Sequence, residues 1–297
     1  MLIILQTYEW IMGTDSITFL GTGGDIIVVG KGFRASGGFV VKTENCQLHI
    51  DPGAGALTKA IEYGINPRET TALLVSHAHI NHCNDLNLMI SAMTHNGLDT
   101  RGVLVANKTV ISGSEEPKIH PVLTEFHKKC LERVMTAEPG KRMAVEDIEI
   151  MPFAVEHDEP NTLGFRITTP RFSLGYIPDT KYFAALADNV KKVDVLVVNV
   201  VYPGATKENL LCSDDLIRLI KKVSPKLCVM THFGHKMLAA NLLDESRMIK
   251  QYTGIEVVAA NDGTTVDPIT YSAATSQESL RAFQGQEQQD SLQGSPS

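Results

Sequence analysis

The stretch Ser76-His77-Ala78-His79-Ile80-Asn81-His82 constrains this chain more than any other. It follows an apolar run at 71–75 and precedes a helical pattern of Leu86, Met89, Ile90 and Met93. Three histidines within six residues therefore sit where a strand ends and a helix begins. In extended backbone residues i and i+2 point the same way, so His77 and His79 are placed to grip one ion, and His82, past the bend, faces a neighbouring position. The alternative is a surface cluster that holds nothing, since short motifs recur by chance. Three further ligand-type residues weigh against it: His157 after an expected strand at 148–155, Asp179 after one at 172–177, and His232 after one at 227–230. Together they form a set of N and O donors suited to zinc.

The rest of the chain supplies the frame. Short strands are expected at 17–20, 39–41, 47–50, 71–75 and 103–106, helix at 56–63 and 123–134, and strand again at 163–168. The run VDVLVVNVV at 193–201 is almost wholly apolar, as a strand buried on both faces requires. Helix is expected at 214–223 and 239–251, with a strand at 256–259. Strand pairs followed by strand–helix alternation argue for a layered α/β sandwich. The glycines of GTGGDI (21–26) lack the GxGxxG spacing of a dinucleotide loop, and no helix is expected after them. The loop at 30–38 carries Lys31 and Arg34, candidate contacts for an anionic substrate.

The 297 residues carry a formal net charge of −7, so no global basic field draws in nucleic acid, and a large RNA or DNA partner is not expected. No segment reaches the roughly 18–20 apolar residues of a membrane span. Five cysteines, odd in number and never spaced CxxC, suit a reducing cytoplasm, and Cys83 reads as a buried helix thiol rather than a ligand. Residues 1–11 read as an extension or misassigned start, 12–271 as one domain, and 272–297, rich in Gln, Ser and Gly, as a disordered tail.

The ordered motifs resemble those of the metallo-β-lactamase superfamily, in its ribonuclease Z and phosphodiesterase-like branch, over roughly 16–268. FLGTG at 19–23 matches that branch's opening strand and turn, and IDPG at 50–53 the first superfamily motif. His77, His79 and His82 match three positions of HxHxDH, while His157, Asp179 and His232 match the third, fourth and fifth motifs. The resemblance implies a four-layer αβ/βα sandwich. It implies one ion on His77, His79 and His157, a second on His82 and His232, Asp179 bridging both as ligand and catalytic group, and Asp51 supporting the ligands from behind. It implies hydrolysis by a metal-activated hydroxide, with one or two Zn2+ ions, or Mn2+ or Fe2+, as cofactor.

Two departures qualify the expectation. Position 81 is Asn where the motif has Asp, a weak or lost ligand, so the second ion should bind weakly or not at all. The histidine that ribonuclease Z carries at the end of the strand matching 193–201 is missing: Val198 stands in its place and Asn199 at its acidic neighbour. Only 22 positions separate His157 from Asp179, too few for the tRNA-binding arm of many of those enzymes, so tRNA 3′ processing is not expected. His235 is the candidate replacement proton donor, Tyr202 and Lys236 are weaker substrate contacts, and His49, His95, His120 and His127 read as structural or surface residues. The expectation is a metal-dependent hydrolase acting on a small phosphodiester. The alternatives are a thioester or lactone hydrolase and a non-catalytic metal-binding sensor or scaffold; association of copies stays open.

Overall fold

An apolar run such as 193–201 can only be a strand if helices and a second sheet cover both its faces, and that arrangement organises the molecule. The computed structural model describes residues 15–159 and 161–272. The expected extension at 1–11 and the tail at 272–297, apart from Ser272, fall outside the described residues. In the strand Val195–Asn199, Val195 and Val197 enter the core between two sheets, while Leu196 and Val198 enter a second core under helices. The same alternation recurs in Leu227–Thr231, where Leu227 and Val229 face inward and Cys228 and Met230 outward.

Each large sheet has seven strands. The first runs in the order Thr265–Val266, Ser16–Phe19, Phe39–Lys42, Gln47–Ile50, Ala72–Val75, Val103–Ala106, Arg133–Thr136. The second runs Glu256–Ala259, Leu227–Thr231, Val195–Asn199, Ser173–Ile177, Leu163–Thr168, Ile148–Ala154, Met143–Val145. Both combine a parallel part with an antiparallel part. Their inner faces share one core that includes Phe19, Leu74, Val105, Phe165 and Val197. Helix Leu86–Thr94 covers the outer face of the first sheet through Leu86, Met89, Ile90 and Met93. Helix Ser213–Val223 covers the second, burying Leu216, Leu219, Ile220 and Val223 at helical spacing. Asp214 and Asp215 in its first turn and Lys221 and Lys222 in its last complement the helix dipole. The layers read helix, sheet, sheet, helix, the expected αβ/βα sandwich.

Three local expectations differ. A short helix, Ile26–Gly30, does follow the glycines, started by Asp25, whose side chain accepts the Val28 N–H. Ile26 stays 72% exposed there, so no apolar periodicity announces it. The helix expected over 123–134 is confined to Glu125–Cys130, because Arg133–Thr136 pairs parallel with Val103–Ala106 and sheet pairing overrides helix propensity. The helix expected over 239–251 is interrupted: His235–Ala239 ends, Asn241 takes φ 62°, and its side chain caps Leu242–Thr253 by accepting from Leu243 N–H. No helix among the described residues is long and apolar enough to cross a membrane.

The shared core predicts a large cost for truncating a ring inside it. Phe165→Ala, at a position with no exposure, should lose about 3–5 kcal/mol in urea unfolding. A loss under about 1 kcal/mol would mean that the two sheets do not depend on one core.

Candidate metal centre

The polar residues of the site stand together at the ends of strands whose bodies are apolar. Asp51 follows Gln47–Ile50, and His77, His79 and His82 follow Ala72–Val75. Asp179 follows Ser173–Ile177, Asn199 ends its strand, and His232 follows Leu227–Thr231. Carboxyl ends of parallel strands are the usual place for sites in such sheets. His157 joins from the strand Ile148–Ala154. The first sheet thus supplies one half of the cluster and the second sheet the other.

Asp51 orients the first half. It adopts φ 52°, a left-handed conformation uncommon for a non-glycine residue. Its Oδ1 accepts the Ser76 N–H at 2.7 Å. Its Oδ2 accepts from Ser76 Oγ at 2.7 Å, Tyr176 OH at 2.6 Å and His82 Nδ1 at 2.9 Å. Because Ser76 spends its hydroxyl proton on Asp51, its Oγ accepts from His77 Nδ1–H at 2.9 Å. Both His77 and His82 therefore carry their proton on Nδ1, and in the neutral rings Nε2 is a bare lone pair turned into the site.

The His77 nitrogen meets two other rings. His79 Nδ1 lies 3.1 Å from His77 Nε2 and 3.2 Å from His157 Nε2. Zinc–nitrogen bonds of about 2.0–2.1 Å in a tetrahedron set neighbouring nitrogens about 3.3 Å apart, so the three rings fit one ion. A second set, His77, His82 and Asp179, also has its ligand atoms within 4.8 Å of one another. Among the described residues His82 Nε2 is buried without a hydrogen-bond partner and faces Asp179 Oδ2 at 3.4 Å, a place where positive charge, either the ring's own proton or a cation that replaces it, offsets the carboxylate. Burial and then the neighbouring His82 hold the His77 imidazole well below its ordinary value, which favours the neutral, ligating form. Burial opposes ionising Asp179, but His232 and His82 outweigh it and keep the carboxyl well below its usual range.

The remaining corner is different. His232, at φ 63°, brings Nε2 to 3.2 Å from Asp179 Oδ1. Asn81 Nδ2 donates to Gly24 O at 3.3 Å and lies 3.2 Å from the same His232 Nε2. The Gly24 carbonyl can only accept, so it fixes which end of the amide points there. The nitrogen of Asn81, not its oxygen, faces His232, and an amide nitrogen has no lone pair to give an ion. Asn199 Nδ2 donates to Asp179 Oδ1 at 2.8 Å. A side chain at Gly24 would meet His232 O at 2.1 Å, so only glycine lets these two loops touch.

Other candidates divide. Tyr202 lines a groove of about 590 Å³ with His157 and Asp158, and Lys236 Nζ lies 5.6 Å over its ring. His235 is joined to Asp25, with Nδ1 at 2.8 Å from Oδ2. Arg34 lines a separate groove of about 870 Å³ with Phe33 and Leu242, whose lining includes none of the clustered histidines. Lys31 is exposed, its Nζ 6.0 Å over the Phe33 ring. Cys83 is buried, its Sγ against Ala78 O and His79 O, and burial pushes the thiol up to about 12. His49 is fully buried with Nε2 on Gly37 O, and burial lowers it to about 4. His127 bridges Ser91 and Thr124, and His95 and His120 are exposed. Sequence reasoning did not single out Ser76, Tyr176, Asp158 or Asp25. Asp158 Oδ1 lies 3.1 Å from His157 Nε2, and Tyr176 is 125 positions from the carboxylate it serves.

The charge balance gives a pH test for the metal-free chain. Burial alone would lower the His82 imidazole, but Asp179 and Asp51 outweigh it and raise it to about 10. An unfolded imidazole titrates near ~6.5, so its stabilisation is complete below that pH and drains away as pH rises toward the folded value. The buried thiols Cys46, Cys83 and Cys228, also raised by burial, add the same trend only above about pH 8.5. The imidazoles that burial holds low, His49, His77, His79, His127 and His157, give the opposite trend, which is spent about one unit above ~6.5 once the unfolded rings are neutral. Urea midpoints in EDTA should therefore fall between about pH 7.5 and 8.5. A flat or rising profile would remove His82 as the charged partner of Asp179.

Comparison with known proteins gives the same answer as the geometry. The family described as beta-lactamase superfamily domain matches residues 47–233, more than half of the chain. The uncharacterized protein MJ1374 of Methanocaldococcus jannaschii is 34% identical over 254 residues, 84% of this chain and 94% of that protein. A ribonuclease Z of Methanopyrus kandleri is 29% identical over 153 residues, 52% of this chain and 50% of that protein. The metallo-beta-lactamase fold protein YhfI from Bacillus subtilis superposes with TM-score 0.71 at 18% identity, covering 85% of this chain and 98% of its own. A diphosphatase of the PhnP family superposes with TM-score 0.63 at 17% identity, over 85% of this chain and 97% of its own. The two structural likenesses speak to fold alone, whereas the family match settles membership: the chain belongs to the beta-lactamase superfamily, built as a metallo-β-lactamase sandwich.

Proposed function

We propose that this chain is a metal-dependent hydrolase that cleaves a small phosphodiester. The observation that carries the reading is the convergence of ring nitrogens from His77, His79 and His157 beside the buried carboxylate of Asp179. His77, His79 and His157 would hold the first ion, with Asp179 next to it, and His82, Asp179 and His232 remain for a second. A bound zinc, manganese or iron ion supplies a Lewis acid for the scissile oxygen and lowers the pKa of water. The protein's own part is orientation: Asp51 and Ser76 fix the tautomers, and Asn199 holds the Asp179 carboxylate.

The groove beside His157 supports a small substrate. Glu156, Asp158, Glu159 and Glu208 line it against Lys181, and Lys181 is already paired with Glu156 at 2.8 Å. A polyanion would meet repulsion there, which weighs against a long nucleic acid. The relatives named ribonuclease Z and diphosphatase lend support to phosphoryl chemistry over acyl chemistry. A second reading, a metal-binding protein without hydrolysis, is favoured by the amides at Asn81 and Asn199, where carboxylates would strengthen a two-ion site.

Turnover separates these readings. Bis-p-nitrophenyl phosphate, a thioester and a lactone are offered to protein loaded with zinc, manganese or iron in turn. Cleavage of the diester, abolished by His77→Ala, is expected; a fully loaded chain inert toward all three supports the non-catalytic reading instead.

Metal analysis addresses the second ion. The wild-type chain should retain close to one tightly held equivalent after dialysis, and Asn81→Asp should bring it toward two. Two equivalents in the wild type, or no gain in the variant, would reject the assignment of Asn81 to the second ion.

A further inference from the structure

Asp25 ties the loop before it to the stretch after His232. Its Oδ1 accepts the Val28 N–H at 2.7 Å. Its Oδ2 accepts two hydrogen bonds from one residue, the His235 main-chain N–H and ring Nδ1–H, both at 2.8 Å. A carboxylate oxygen only accepts, so the ring proton sits on Nδ1 and the imidazole is held from both ends of its residue. Burial opposes ionisation of Asp25, but the bonds from His235 and Val28 outweigh it, and its carboxyl lies below its ordinary value. The His235 side chain is 44% exposed, and among the described residues its Nε2 makes no hydrogen bond.

This pair stands on the rim of the proposed site. Gly24, beside Asp25, accepts from Asn81 through its carbonyl and donates its N–H to Phe233 O at 2.9 Å. His235 opens the helix His235–Ala239, three positions after His232. Tyr202 lines the groove with His157, and Lys236, the neighbour of His235, lies 5.6 Å over its ring, so the pair and that groove share an edge. Among the described residues Asp25 is the ionisable group in contact with His235. The other histidines of the cluster turn their free nitrogens toward one another or toward Asp179.

We propose that His235 Nε2–H donates the proton to the leaving oxygen of the substrate and that Asp25 is its positioning residue. The proposal rests on the hydrolase reading above. A water oxygen forms a new bond to phosphorus and loses one proton to solvent. The bond from phosphorus to the leaving oxygen breaks, its electron pair staying on that oxygen. The imidazolium Nε2–H supplies the proton that makes it an alcohol, and solvent later restores the imidazolium. One water is consumed, and one alcohol and one phosphomonoester are formed. Asp25 holds Nδ1–H and the main-chain N–H of the same residue, which fixes the ring with Nε2 as its outward nitrogen.

Two diesters that differ in leaving group provide the test. Zinc-loaded wild type, His235→Ala and Asp25→Asn are compared on bis-p-nitrophenyl phosphate, whose leaving group departs without a proton, and on methyl phenyl phosphate, whose leaving group benefits from one. His235→Ala should lose about 100-fold in kcat/KM on the phenyl ester and under ~3-fold on the nitrophenyl ester. Asp25→Asn should also lose more on the phenyl ester than on the nitrophenyl ester, because only the proton-dependent step needs the ring held in place. Nitrogen-15 NMR of the full chain should show the neutral His235 ring protonated on Nδ1. Equal losses on both esters with turnover intact in the wild type, or a neutral ring protonated on Nε2, overturn the donor role. A wild type inert on both esters sinks the hydrolase reading and the donor role together.

Discussion

The site depends on one buried carboxylate. Asp51 accepts from Ser76 twice, from Tyr176 and from His82, and through Ser76 it sets the proton on His77 as well. Imidazoles are symmetrical enough to present either nitrogen, and nothing in their own sequence chooses. A carboxylate behind them makes the choice by accepting Nδ1–H, so that lone pairs point inward. Its position is bought by an unusual backbone, φ 52°, immediately after a strand whose side chains are fully buried. The apolar sandwich is thus the reason the polar edge can be stiff.

The second constraint is electrostatic. A buried cluster of rings around a carboxylate is costly unless charges balance. Asp179 is the carboxylate shared by His82 and His232, and the two amides beside it, Asn81 and Asn199, contribute N–H groups rather than negative charge. Each amide is also used structurally, Asn81 to reach Gly24 and Asn199 to hold Asp179. This corner of the cluster is therefore a connected piece of the loop scaffold.

Much of this was readable from the residues. Strands such as Leu163–Thr168 and Glu256–Ala259 have the expected bounds because their apolar patterns are local. The histidine cluster was legible because its spacing and its position after an apolar strand are both short-range properties. The break at Asn241 and the strand Arg133–Thr136 were not, since one needs a left-handed residue and the other a neighbour from Val103–Ala106. The orientation of Asn81 was hidden too, because it is decided by Gly24, 57 positions away. The same holds for Asp25 and His235, which are 210 positions apart and only the folded sheets bring together.

The division of ligands between the two sheets has a consequence for biogenesis. His77, His79 and His82 leave the ribosome well before the second sheet exists, whereas His232 follows Asn81 by 151 positions. At bacterial or eukaryotic elongation rates that interval lasts roughly 8–30 s. During it the nascent first half presents imidazoles with no opposing carboxylate and no closed coordination, open to whichever cation is most abundant nearby. On the proposed metal reading, a complete ligand set exists only once the second half docks, so the ion would be chosen late, by a nearly finished chain.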